Sequence, residues 1–279
     1  MRYKLLFSIY TVCQPHFVQA SWFTDTELHP VYQALINHQP KLAWQELILT
    51  LSRENIKSQY WIAVKQEILS QTSCGQELMD NSVALPMKMN ISFIRRSGLS
   101  SQGFQIKLST EKTRTDSLVE LISPSSTRLL RAKLSKQSAY QELETKEMLI
   151  KPSTGVYQLR INGQSFPLLI AIPDNKSWLT YDNTAKIIRT SFPETIKGCS
   201  QAVASWQWFD SNYTMLDSKI PIQKHIASVP QPTYQHERAK HLSASVSLFE
   251  YQQGIKIDYI QRVAIPFSPF VMEKKGVIN

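Results

Sequence analysis

Two cysteines, a pair of histidines, two pairs of acids and a cluster of aromatics are the residues of this chain whose types and spacing suggest chemistry. Cys74 and Cys199 each sit beside a glycine, as Cys74-Gly75 and Gly198-Cys199. With the third cysteine, Cys13, in an expected leader, the mature chain keeps an even count, which in an exported protein points to a disulfide, and a catalytic thiol would want a partner histidine that neither has nearby. A Cys74–Cys199 bridge would close a loop of about 125 residues, which the chain-entropy model values at roughly 4–5 kcal/mol. His236-Glu237-Arg238-Ala239-Lys240-His241 approaches the zinc-protease motif, which needs histidines at i and i+4 so that both rings leave one helical face. Here they stand at i and i+5, about 140° apart around a helix. The segment also follows Pro230 and Pro232 and leads into a strand, so it reads as a solvated loop.

Glu142/Glu144 and Asp210/Asp217 could serve glycoside hydrolysis only if folding sets the right carboxyl separation, and surface charge is their ordinary explanation. No G-x-S-x-G elbow is present, and 8 glycines in the whole chain leave no phosphate-cradling loop. These readings assign no catalytic residue, no metal ligand and no cofactor, and they predict a protein that is not an enzyme. Trp206 and Trp208 lie two apart, so on a strand they share a face, with Phe209 and Tyr213 close by. Such a face is either core, the reading the apolar neighbours Ala202 and Ala204 favour, or a platform for sugar rings. Trp206, Trp208 and Tyr213 are therefore the one candidate ligand platform.

The elements that must position these residues change character along the chain. Between residues 24 and 72, Leu28, Val31, Tyr32, Leu35 and Ile36 recur at helical spacing, Pro40 suits the first turn of a second helix, and Leu42, Trp44, Leu47, Ile48, Leu49 and Leu51 follow. Tyr60, Trp61, Val64 and Ile68 complete a three-helix unit, with Trp44 and Trp61 as core. After Cys74-Gly75 the period becomes two. Met87, Met89, Ile91 and Phe93 alternate with polar residues, as do Phe104, Ile106 and Leu108, and shorter strands are predicted at 118–122, 128–134 and near Met148–Lys151. Asn162-Gly163 marks a hairpin over Gly155–Pro173 whose second strand is apolar on both faces, which predicts a central strand covered on both sides. Further strands are expected at 177–181, 185–190, 202–209 and 213–216. A long hairpin then runs through Leu242–Tyr251 and Ile255–Ile265, with Ser243, Ser245 and Ser247 on its wet side.

The fold class expected is α+β: a small N-terminal three-helix unit followed by two antiparallel β-sandwich domains of immunoglobulin-like size. The boundaries read as a signal peptide at 1–20, a helical domain at 21–78, a first sandwich at 79–175, a second β domain at 176–267 and a flexible tail at 268–279. Arg2 and Lys4, the apolar run from Leu5 to Cys13 and the small residues of Val18-Gln19-Ala20 predict cleavage before Ser21. That run is too short to cross a bilayer, and no later stretch reaches the ~18 apolar residues a spanning helix needs. Removing Arg2 and Lys4 takes the formal charge from +9 to near +7, spread singly along the chain. Dispersed charge excludes nucleic acid as a partner and leaves an envelope protein, anionic envelope polymers or lipid headgroups.

The leader, the Ser21-Trp22-Phe23 start, the helical unit and the β-rich remainder ending in a long hairpin resemble a family of exported gammaproteobacterial proteins described as a domain of unknown function. Its genes neighbour a cell-wall-stress two-component system, and the resemblance implies an envelope role. The function expected is an exported, periplasmic or secreted, non-enzymatic binding module. The alternative is a peptidoglycan- or glycan-binding protein that uses the paired tryptophans.

Overall fold

The computed structural model describes residues 26–79, 85–98, 102–173, 176–233 and 236–267. The expected leader and tail lie outside the described residues. Three helices come first, α1 (His29–Ile36), α2 (Pro40–Arg53) and α3 (Ser58–Ser70). Pro40 opens α2, where its missing N–H leaves no bond unmade. Val31, Ala34, Ala43, Trp44, Leu47, Trp61, Val64 and Ile68 bury one another between the helices. Leu42 and Leu49 were expected in that stripe and are exposed instead, because the buried face of α2 turns on Ala43, Trp44 and Leu47.

The strands follow in the order β1 (Lys88–Ser97), β2 (Gln102–Glu111), β3 (Ser117–Ile122), β4 (Arg128–Leu134), β5 (Tyr140–Glu144), β6 (Gly155–Ile161) and β7 (Gln164–Ile170). Then come β8 (Leu179–Asp182), β9 (Ile187–Thr190), β10 (Val203–Phe209), β11 (Met215–Pro221), β12 (Ile226–Ser228), β13 (His241–Gln252) and β14 (Ile255–Ile265). They form a seven-stranded sheet ordered β11-β10-β13-β14-β1-β2-β5, a four-stranded sheet ordered β4-β3-β6-β7 and a three-stranded sheet ordered β12-β9-β8. One face of the large sheet shares a single core with both smaller sheets. The helices cover the outer side of the four-stranded sheet through Val156, Leu169 and Ala171.

Three features differ from the expected plan. The large sheet takes β1, β2 and β5 from the stretch assigned to the first sandwich and β10, β11, β13 and β14 from the second, and the core runs across the expected boundary at 175/176. The join is a parallel pair, with Phe93 beside Tyr259 and Arg96 beside Arg262. Parallel partners far apart in sequence need no tight turn, so no local signal marks them. The Asn162-Gly163 hairpin forms, with both residues at positive φ (51° and 85°), but β7 lies at a sheet edge and not at its centre. Its faces are covered as expected, Leu168 in the sandwich core and Leu169 against the helices. Its free edge is closed by a side chain: the Leu169 N–H donates to Gln252 Oε1 at 2.8 Å, and Gln252 Nε2 donates to the Leu169 carbonyl at 2.8 Å. The strand expected near Met148–Lys151 is replaced by β5, and Met148 makes only an isolated bridge to Phe104.

Three contacts tie the helical unit to the sandwich. The Cys74–Cys199 disulfide is present, with Cα atoms 4.7 Å apart. Next to it, the Tyr251 N–H donates to the Cys74 carbonyl at 2.9 Å. Gly75 permits this approach: it lies at φ +83°, and a Cβ there would sit 1.9 Å from the Tyr251 carbonyl oxygen. Deeper in, Lys65 Nζ on α3 meets Glu250 Oε1 on β13 at 2.7 Å, both side chains being buried. Glu250 also accepts from Gln252 at 2.6 Å and from the Tyr259 hydroxyl at 3.1 Å. Burial pushes the Lys65 pKa down, against the opposing pull of Glu250.

Candidate functional site

The strands that carry the candidate aromatics alternate between two environments. Ala204, Trp206 and Trp208 face the core from β10, where Trp206 is opposite Ala244 and Trp208 is opposite Leu242. The tryptophans are 3% and 1% exposed. Small Ala244 leaves room for one indole, and His236 and Phe267 pack on the other with ring centroids 4.8 Å away. Neither indole has a face free for a sugar, so the paired-tryptophan platform is not assembled. Tyr213 is separate from them. It stands 62% exposed in the turn after β10 and stacks on His241 at 4.2 Å with ring planes 7° apart.

The opposite face of the large sheet holds the polar partners of these strands. Gln105 and Lys107 of β2, Arg96 of β1, Arg262 of β14 and Ser243 of β13 form the floor of a trough of about 1140 Å³. Tyr140, Glu142 and Glu144 on β5 make one wall, and Tyr213, Met215, Lys240 and His241 make the other. Arg96 and Arg262 are register partners in the parallel pair, so two arginines on neighbouring strands line the same trough. Burial and then the Arg96 charge lower the Arg262 pKa. Arg262 lies 6.0 Å over the Phe209 ring, and its shielded Nε has no acceptor among the described residues. Arg96 is steered by Gln105, whose Oε1 accepts from it at 3.3 Å. Arg96, Lys107, Lys240 and Arg262 give the trough four cations, partly offset by Glu142 and Glu144, whose charges act on Arg262, and arginines in such a setting are suited to hold an anion.

The acids flagged by spacing are already committed. Glu142 accepts from the Tyr140 hydroxyl and from Lys107 Nζ at 3.1 Å. Burial alone would raise its carboxyl, but these two donors outweigh that and hold it below the usual value. The Tyr140 hydroxyl is correspondingly pushed up to about 12, by burial and then by Glu142. Glu144 accepts from Gln105 at 2.7 Å. A carboxylate kept ionised by a cation and a phenol is a poor proton donor, so Glu142 is unsuited to the acid role in glycoside hydrolysis. Asp210 caps its own turn through the Thr214 and Asn212 N–H groups at 2.9 and 2.8 Å, which lowers its carboxyl. Asp217 faces His236 Nε2 at 3.4 Å.

His236 is buried, contrary to the solvated loop expected. It sits under Trp208, and its Nδ1 accepts from the Thr233 N–H at 3.1 Å. His241 opens β13 on the trough wall, so the two histidines point to different places. Among the described residues no group of three His, Cys, Asp or Glu side chains is arranged to hold a metal ion. Arg96 and Arg262 escaped the sequence reading because only the parallel register brings them together. The signal available was weaker, an outward-facing arginine on each of two alternating strands.

No curated protein matches the chain. Among solved structures it is similar to one titled "Biofilm associated protein - BSP domain", with 10% sequence identity and a TM-score of 0.21, over 66% of this chain and 30% of that one. The chain thus spans less than a third of that protein's chain, and a likeness at this score carries no argument about fold or activity. A family model matches residues 22–268, and the chain therefore belongs to the family described as "Protein of unknown function (DUF2861)".

Proposed function

We propose that the protein is an exported, non-enzymatic binding module of the cell envelope, and that the open-face trough holds an anionic envelope polymer. The observation that carries this reading is the pair Arg96 and Arg262, register partners on neighbouring strands that line one trough together with Lys107 and Lys240. Like charges in register on a sheet repel, and an anion laid across both removes that repulsion. The rim suits a carbohydrate backbone, because Tyr213 exposes a ring that His241 holds flat. The glycan reading therefore passes from the buried tryptophans to Tyr213.

The test is retention on an immobilised anionic polysaccharide, with neutral dextran as the control. Wild type should bind the anionic matrix and release as salt rises. Arg96→Ala/Arg262→Ala should lose at least about tenfold in affinity, the loss expected for two charge-assisted contacts, with the melting temperature followed alongside to separate binding from the packing lost with Arg262. Wild type and double variant eluting at the same salt would refute the trough as the binding surface.

A further inference from the structure

The strand directions gather several connections at one end of the seven-stranded sheet. Ser97 pairs with Gln102 and Val263, Ile265 pairs with Leu242, and His241 pairs with Phe209. The chain leaving β5 reaches the same end, because Met148 bridges Phe104 there. Leu149 and Ile150 follow at once and are 85% and 83% exposed, the most exposed large apolar side chains among the described residues. They are held out by a fixed backbone: the Phe104 N–H donates to the Met148 carbonyl at 2.7 Å, and the Met148 N–H donates to the Phe104 carbonyl at 2.8 Å. Single exposed aliphatics are ordinary, but two adjacent ones on a pinned tip are not explained by folding.

The tip's neighbours are mostly basic, with Glu147 the acid among them. Lys146 and Lys151 flank it in sequence, Arg95 lies beside Lys151 around a narrow slot, and Arg96 and Lys240 of the trough stand at the same end of the sheet. A two-residue tip is far smaller than the ~800 Å² per partner that a stable protein interface buries. A bilayer interface makes no such demand. It accepts one or two aliphatic side chains beneath the headgroups while lysines and arginines remain at headgroup level, and it favours them where the lipids are anionic. We propose that this end of the sandwich docks peripherally on an anionic lipid surface, with Leu149 and Ile150 as the inserted wedge. No helix among the described residues is long and apolar enough to cross a membrane, so the wedge makes a reversible contact.

Co-sedimentation with vesicles tests this, using phosphatidylcholine mixed with phosphatidylglycerol against phosphatidylcholine alone. The protein should sediment with the mixed vesicles, less so at high salt. Leu149→Ser/Ile150→Ser should weaken that binding by at least about tenfold while leaving the melting temperature unchanged, since both side chains are exposed. Lys146→Gln/Lys151→Gln should weaken binding by about fivefold per lysine on the mixed vesicles and have little effect on phosphatidylcholine alone. Absence of vesicle binding, or a Leu149→Ser/Ile150→Ser protein that binds as wild type does, would overturn the proposal. A wild-type dimer in gel filtration that the same substitutions dissociate would also overturn it, by assigning the tip to a second copy of the chain.

Discussion

The two faces of the seven-stranded sheet are one residue apart in sequence and opposite in purpose. On β1, Met89, Ile91 and Phe93 enter the core while Asn90, Ser92 and Arg96 look outward, and on β14, Ile257 and Tyr259 enter while Asp258 and Arg262 look outward. The inner face is mostly apolar, and some of its polar groups are answered, as Gln261 answers the Trp178 N–H at 2.8 Å and the Lys176 carbonyl at 3.0 Å. The outer face keeps polar groups in loose reach of one another, such as Asn90 and Lys256 on either side of Asp258 at 2.7 and 3.0 Å. Stability is concentrated on the first face. The second carries the trough, whose exposed rim side chains such as Tyr213 and Met215 add little to folding.

The largest test of that contrast is Trp208→Ala on the inner face. It should cost about 3–5 kcal/mol, the usual penalty for emptying a packed aromatic site, whereas Ser245→Ala on the outer face should stay within about ±0.5 kcal/mol. Urea denaturation of both variants checks this, and equal costs would erase the distinction between the faces.

A slightly smaller effect is expected where a charge has been taken into the covered side. Lys65→Met leaves Glu250 buried without its cation and should cost about 3 kcal/mol, the low end for breaking a buried pair, because Gln252 and Tyr259 still donate to the carboxylate. Adding Glu250→Gln removes the unpaired charge and should recover most of the loss. If the double variant is no better than the single one, the contact is packing and not electrostatics.

The smallest effect is a pH limb. Burial pushes the Tyr157 hydroxyl from its ordinary 10.0 up to about 12. The unfolded chain therefore releases that proton first, so the contribution is fully present below pH 10 and is lost as pH rises toward about 12. The loss totals about 2–3 kcal/mol. Tyr259 is raised by burial in the same sense. Urea midpoints followed from about pH 9 to about pH 12 should fall for wild type and fall less for Tyr157→Phe. Parallel curves would place the alkaline sensitivity elsewhere.

The elements were largely legible from sequence, and their partners were not. The three-helix unit, the Asn162-Gly163 turn, the serine-lined wet side of β13 and the cysteine pairing all rest on short-range patterns or on simple counting. The trough was illegible, because Arg96 and Arg262 meet across a parallel pair and the wall residues Tyr140 and Tyr213 come from connections over seventy positions apart in the chain. The tryptophans show the limit between the two cases. Their shared face could be read from a spacing of two, but which way that face points could not.

By itself the sequence determined periodicity: where the chain coils, where it extends, where it turns, and which alternate residues must agree about burial. Those follow from backbone geometry and solvation acting within a few residues. Only the tertiary structure decided that two expected sandwiches share one sheet, that β7 is an edge closed by Gln252, that Lys65 is buried against Glu250, and that Leu149 and Ile150 are left in solvent. Each of these depends on which distant surface arrives to cover a given face, and that choice is made by packing the whole core at once.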